Sequence, residues 1–194
     1  PAWRRYAAVA PDAGSRPRIV VVLDDLGLSE FRSDRAVALP RPLTMAILPY
    51  APEPGALVAR ARAAGHEVIV HLPMEPESGE RDPGPNALLT GLPLPELDRR
   101  IAYNLDRMTG YVGVNNHMGS RFTASRRDMN RLMAAVRSRG LLFLDSLTTS
   151  QSVGHRVAQR FGVPTAARDI FLDNDRDPAA IARQLERVEA AARE

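Results

Sequence analysis

Two adjacent carboxylates, Asp24 and Asp25, end the apolar run Ile19-Val20-Val21-Val22-Leu23, and two imidazoles, His71 and His117, end later apolar runs. An aspartate with two neutral imidazoles can bind Zn2+ or a similar divalent ion and leave positions open for water and substrate. Two like charges at the mouth of a core strand repel each other and resist desolvation, so a cation or a proton has to compensate them. The competing reading of Asp24-Asp25 is a helix cap beside a solvated side chain, and for a lone pair the two readings weigh about equally. Recurrence tips the balance. The other strand-like runs end in Pro49-Tyr50, Asn115-Asn116-His117, Asp145-Ser146 and Arg168-Asp169, so nearly every one stops on a group able to ligate.

Roles follow from residue type. His71 and His117 with one of the two aspartates, Asp24 or Asp25, are the candidate ligands. Asp145 and Asp169 are candidates for orienting an imidazole or a water, with Arg168 orienting a neighbouring carboxylate. Tyr50, Glu75, Asn115, Asn116 and Ser146 are assigned to substrate. Bland alternatives stand beside these: the two Asn can close a strand, and Ser146, which lacks a G-x-S-x-G elbow, can cap a helix. His66 and His155, at a helix end and within a helix, are read as structural.

The elements that must position these groups alternate. Strands are expected over Ile19–Asp24, Leu43–Leu48, Glu67–His71, Val112–Asn116, Leu141–Asp145 and Thr165–Asp169, the last able to continue to Leu172. Helices are expected over Pro54–Ala64, Pro95–Met108, Ser125–Arg139 and Ser152–Phe161, each stopping near a glycine, and a last one opens at Asp177-Pro178. Ser125 with Asp128 forms a capping box. Strict alternation argues parallel strands joined by right-handed crossovers, in an open doubly wound sheet or a barrel, and both put ligands at the carboxyl ends of the strands. The turn after the first strand, Asp24-Asp25-Leu26-Gly27-Leu28, has one glycine and two anions, so dinucleotide and P-loop readings fail. The Pro- and Gly-rich stretch Leu72–Pro95 is too long for an ordinary connection and is expected to drape over the site. Residues 1–17 read as a linker or flexible N-terminal arm, and residues 18–194 as a single domain.

Composition narrows the classes further. A chain of 194 residues can bury a core without staples, so a bound metal is expected to be catalytic. There is no cysteine, which removes thiolate zinc sites and cysteine nucleophiles. All 26 basic residues are arginine, which excludes lysine Schiff-base chemistry. They are scattered, aromatics are 5% and the net charge is +3, so nucleic-acid binding is disfavoured. No apolar run approaches the roughly 20 residues of a membrane span. The sequence opens at Pro1 rather than Met, and the expectation is a domain cut from a longer product, with a signal or anchor upstream and a periplasmic or cell-envelope location.

Several of these runs are similar to those of a known family. Val21-Val22-Leu23-Asp24-Asp25-Leu26-Gly27, Ala46-Ile47-Leu48-Pro49-Tyr50-Ala51-Pro52, His71-Leu72-Pro73-Met74-Glu75-Pro76, Val112-Gly113-Val114-Asn115-Asn116-His117-Met118-Gly119-Ser120, Leu144-Asp145-Ser146 and Arg168-Asp169-Ile170-Phe171-Leu172-Asp173 resemble the divergent polysaccharide deacetylases of bacteria. The resemblance covers nearly all of residues 18–192. It implies a distant branch of the NodB-type carbohydrate esterases, a distorted (β/α) barrel of about six to seven parallel strands, a zinc or other divalent ion and a glycan substrate. It implies Asp24 as base and Asp25 as ligand. The NodB type has a second His four residues after the first, where this chain has Glu75. Either Glu75 or His117 replaces that imidazole, and His117 is preferred because Pro73 and Pro76 oppose a helical return. The Arg-Pro-x-Tyr and late Leu-x-His motifs of the NodB type are absent. The function implied is metal-dependent removal of N- or O-acetyl groups from a polysaccharide or envelope glycan. The alternatives are a metal hydrolase for another amide or ester bond and a non-catalytic glycan-binding envelope protein.

Overall fold

A computed structural model describes residues 1–193. Six strands, β1 (Val22–Leu26), β2 (Thr44–Ile47), β3 (Glu67–Met74), β4 (Gly113–Met118), β5 (Leu142–Asp145) and β6 (Thr165–Ala167), form one parallel sheet in sequential order. Helices separate them: α1 (Ala2–Arg5) precedes the sheet, then α2 (Glu30–Val37), α3 (Pro54–Ala63), α4 (Leu94–Leu105), α5 (Arg126–Ser138), α6 (Gly154–Arg160) and α7 (Pro178–Ala191). This is an α/β fold.

Alternation along the strands sorts side chains onto two faces. Met45, Ile47, Val68, Val70, Leu72, Val114 and Phe143 share one buried cluster with Leu57 and Val58 of α3, Leu97 and Ile101 of α4, Met129 and Leu132 of α5 and Val157 of α6. Ala46, Ile69 and Val112 form a smaller cluster on the opposite face, packed against Val22, Leu142, Leu144, Trp3 and Tyr6. Helices on one face and a sheet filling its other face with its own side chains is the layout of a (β/α) barrel wall, whereas a doubly wound sheet carries helices on both faces. Strand order 1-2-3-4-5-6 fits the same reading; among the described residues β1 and β6 do not pair, so the wall is open between them.

Several boundaries differ from the sequence reading, each for a physical reason. The first strand begins at Val22 rather than Ile19, and Val20 is 77% exposed, because β1 is an edge strand paired with β2 alone and its contact with β2 starts only at Val21, whose carbonyl accepts the Thr44 amide. β3 continues through Leu72-Pro73-Met74, registered against Asn116, His117 and Met118, so only residues 75–93 are irregular. β4 likewise extends through His117, and β6 stops at Ala167, leaving Arg168 and Asp169 in the following loop. Helix α2 has no strong apolar stripe, only Ser33 and Ala36 being buried, so periodicity did not reveal it. The capping box at Ser125 and the Asp177 cap are both present.

The first residues are docked rather than loose. The Trp3 amide donates to the Gly140 carbonyl, Arg62 donates to the Tyr6 carbonyl, and the Ala8 amide reaches Glu67. Trp3 and Tyr6 thereby plug the face of the sheet that carries Ile69, and His71 lies two residues further along that same face. Among the described residues no helix is long and apolar enough to cross a membrane.

Candidate metal centre

In an unbroken strand, neighbours point to opposite faces, so Asp24 and Asp25 would part. The β1–β2 register shows how they stay together: Leu23 pairs with Met45 and Leu26 with Ile47, three steps on β1 against two on β2. The extra residue is a bulge, and Asp25 sits in it with φ +55°. The turn that follows is fixed by Ser33 Oγ, which accepts the Gly27 amide at 3.0 Å, and by Gly27 itself, whose φ is +111° and where a Cβ would lie 2.5 Å from Ala51. Non-glycine residues with positive φ recur at Met118, the last residue of β4, and at Leu147, just beyond β5. Strain of this kind collects at sites where a geometry has to be held.

Three donor atoms converge there. Asp25 Oδ1 lies 3.0 Å from His117 Nδ1 and 3.3 Å from His71 Nε2, and the two ring nitrogens are 3.2 Å apart. The rings meet edge to face, with centroids 4.8 Å apart. Tetrahedral ligation at about 2.0–2.1 Å places donors about 3.3 Å from one another, so the spacing suits a zinc-sized ion. Protonation chemistry points the same way. His71 Nδ1 lies 3.0 Å from Asn115 Oδ1, an oxygen that can only accept, so this contact calls for a proton on Nδ1 and, in that tautomer, His71 turns a lone pair from Nε2 toward the Asp25 carboxylate. Two acceptors facing each other at 3.3 Å need a proton or a cation between them.

Electrostatics divides the two carboxylates. When the imidazoles carry protons on the nitrogens that face it, hydrogen bonds from His117 and then His71 hold Asp25 far below the ordinary carboxylate range. Burial pushes Asp24 upward, a charged His71 would work against that rise, and the charges of Asp25 and Asp173 add to it. Asp24 Oδ2 stands 3.8 Å from His71 Nε2, outside the three-donor set. The imidazole side is closed, with His71 3% exposed, while the Asp25 side chain is 63% exposed, so the centre opens toward solvent on its carboxylate side.

The sequence profile of the family described as divergent polysaccharide deacetylase matches residues 21–194. The chain belongs to that family. Two relatives are each 34% identical: the Escherichia coli (strain K12) uncharacterized protein YibQ, over 88% of this chain and 53% of its own length, and an uncharacterized protein of Haemophilus influenzae, over 88% of this chain and 61% of its own. The chain thus spans about half the length of the former and three-fifths of the latter. The crystal structure of the uncharacterized protein ATU2773 from Agrobacterium tumefaciens C58 is similar with TM-score 0.92 and 32% identity, covering 99% of this chain and 78% of that one.

The other candidate residues of this deacetylase-family domain separate clearly. Asn115 touches the centre, as the partner of His71. Asn116 faces away and staples two loops, its Oδ1 accepting the Ser146 amide at 2.8 Å and its Nδ2 donating to the Met118 carbonyl at 2.7 Å. Ser146 Oγ receives Asn115 Nδ2 at 3.2 Å. Asp145 is not at the centre: its carboxylate, 1% exposed, accepts from the Leu147 amide, Ser152 Oγ and the His155 amide, tying down the first turn of α6. Arg168 does not pair with Asp169 but donates to the carbonyls of Ser146 and Leu147, and Asp169 is exposed in the loop after β6. Glu75 is also away from the three donors. Its Oε2 accepts both Thr90 N and Thr90 Oγ1 at 2.6 Å, which clamps the base of the irregular 75–93 segment. That segment returns against the Tyr50 ring, where a Cβ on Gly84 would lie 2.8 Å away, and Tyr50 itself is pushed upward by burial and then by the charges of Asp25 and Asp82. His66 is structural, bonded at both ring nitrogens, to Leu43 N and Val37 O.

Two contributors were missed by sequence reasoning. Asp173 adds to the rise of Asp24, and its position in the run after Arg168 was the available signal. Ser33 was hidden because α2 was.

Proposed function

We propose that this domain is a metal-dependent hydrolase that removes acetyl groups from a polysaccharide or envelope glycan, with zinc as the resident ion. The observation that carries the reading is the convergence of Asp25 Oδ1, His71 Nε2 and His117 Nδ1 within 3.3 Å of one another, two of them acceptors facing each other. A divalent ion held by these three residues supplies Lewis-acid polarisation of the acetyl carbonyl and a more acidic water. The protein supplies the rest. The buried His71, the partly buried His117 and the bulged Asp25 fix the donors in advance, so binding requires little rearrangement. Asp24 stays outside the donor set with its carboxylate held above the ordinary range, which makes it a stronger base, so Oδ2 is the atom that takes the proton from the attacking water. The open carboxylate side admits the substrate, with Tyr50 and the 75–93 segment as its wall. Family membership supports a glycan as substrate, and the proposal carries with it a periplasmic or cell-envelope location.

The test couples metal content to turnover. Purified protein is assayed for bound zinc by elemental analysis and for acetate released from N-acetylated and O-acetylated glycans, beside Asp25→Ala, His117→Ala and Asp24→Asn. The first two variants are expected to lose zinc and activity together, while Asp24→Asn keeps zinc and loses roughly 100-fold or more in turnover, the range of general-base catalysis. Full zinc occupancy in both ligand variants would refute the centre. Glycan binding by a zinc-loaded wild type without acetate release would refute hydrolysis and favour a binding protein.

A further inference from the structure

We propose that Asn115 is a positioning residue that holds His71 in its Nδ1–H tautomer, so that Nε2 is the atom His71 offers to a cation, with Ser146 as the hydrogen-bond partner of the Asn115 amide. The proposal deepens the function above and rests on it only for the presence of a cation site.

The geometry is closed on every side. Asn115 is 2% exposed and stands in register opposite His71 on the neighbouring strand, so its side chain cannot swing away or be replaced by solvent. Its Oδ1 receives His71 Nδ1–H at 3.0 Å and its Nδ2 donates to Ser146 Oγ at 3.2 Å. The Ser146 backbone is pinned from both directions, its amide donating to Asn116 Oδ1 at 2.8 Å and its carbonyl accepting Arg168 Nε at 2.8 Å. The next residue, Leu147, is held at φ +46° with its carbonyl on Arg168 Nη2. Ser146 is therefore placed by its backbone, and its hydroxyl meets the amide group of Asn115.

The alternative arrangement shows what this fixes. With the amide turned over, Asn115 Nδ2 would donate to Nδ1, the ring proton would move to Nε2, and His71 would make an ordinary neutral hydrogen bond to Asp25. The centre would then be satisfied without a cation. Asn115 in the observed orientation removes that option and leaves the Nε2 lone pair in the centre. A carboxylate at this position would also accept from Nδ1–H, but it would add a negative charge to a centre that already holds Asp25 and Asp24. The amide supplies the same directional acceptor without it.

The experiment reads tautomer and affinity separately from turnover. Long-range 1H–15N correlation spectra of the metal-free and zinc-loaded protein report which nitrogen of His71 bears the proton, and competition titration with a zinc chelator reports affinity for wild type, Asn115→Asp, Asn115→Leu and Ser146→Ala, with far-UV circular dichroism confirming the fold of each. The expected result is a proton on Nδ1 of His71 in both states, with zinc affinity within a few-fold of wild type for Asn115→Asp and about 10–100-fold weaker for Asn115→Leu. Ser146→Ala is expected to fall between them. A neutral Nε2–H tautomer in the metal-free protein, or Asn115→Leu binding zinc like wild type, would overturn the proposal, as would Asn115→Asp being as weak as Asn115→Leu. Absence of zinc binding in the wild type would instead overturn the centre, and absence of acetate release with this affinity series intact would overturn only the hydrolase reading.

Discussion

Replacing Asp145 by alanine separates a residue that builds the fold from one that serves the centre. Its carboxylate accepts three hydrogen bonds, from Leu147 N at 3.0 Å, Ser152 Oγ at 2.7 Å and His155 N at 3.0 Å. Val153, at the N-cap of α6, makes no side-chain cap bond, so Asp145 performs that duty from the preceding strand. Bonds to a charged acceptor contribute about 1.5–3 kcal/mol each, but the Ser152 hydroxyl and part of the loop can recover water, so the expected loss is about 3–5 kcal/mol rather than the full sum. A domain of this size has about 5–15 kcal/mol in all, so the variant remains mostly folded at 25 °C and its midpoint falls by roughly 6–20 °C. Urea unfolding followed by circular dichroism measures the loss, and chelator competition on the folded variant measures zinc affinity, which is expected to be unchanged. A loss below about 1 kcal/mol would refute the capping argument. Weakened zinc binding with stability intact would return Asp145 to the centre.

Two other predictions concern the frame. The Tyr111 hydroxyl donates to the Leu105 carbonyl at 2.7 Å, and burial, more than its charged neighbours, pushes it up to about 12. Because ionisation is harder in the folded state, the associated stability is complete below about pH 10 and is lost as pH rises from there through about 12, amounting to about 3 kcal/mol. Urea stability of wild type and Tyr111→Phe compared across that window should converge as pH rises, and parallel curves would contradict the assignment. Gly113 pairs with Leu142, and a Cβ there would lie 2.6 Å from the Leu142 carbonyl oxygen and overlap the Leu142 side chain. Gly113→Ala is therefore expected to lose about 2–3 kcal/mol in urea unfolding, and an unchanged midpoint would show that β4 and β5 can part without cost.

Alternation of apolar runs with helical stripes was enough to read the parallel α/β order, because those signals are local. The three converging donors were legible for the same reason: Asp25, His71 and His117 each follow an apolar run. What the pattern could not supply was which way each side chain turns. Asp145 and Asn115 both sit near strand ends and look alike in sequence, yet Asn115 lies on the face shared with Ile69 and His71 while Asp145 lies on the other, beside α6. One residue of register decides that, and register is set by pairing between strands far apart in the chain. The bulge at Asp24-Asp25 was hidden too. An extra residue in β1 is visible only against β2, and the apolar run before it resembled a buried strand because its composition carries no mark of an edge.

That edge gives the centre a mechanical meaning. Asp25 belongs to β1, which is paired on one side only, whereas His71 and His117 belong to β3 and β4 in the interior of the sheet. Whatever bridges the three joins the strand most prone to fraying to the two least prone, skipping β2 altogether. Amide hydrogen exchange should therefore sense occupancy unevenly, with protection rising across 22–26 when zinc is added and scarcely changing in β4, whose exchange is already limited by opening of the whole domain. In the proposed reading, the three donors are a clasp on the seam of an open wall, and filling them would set how far that seam can part.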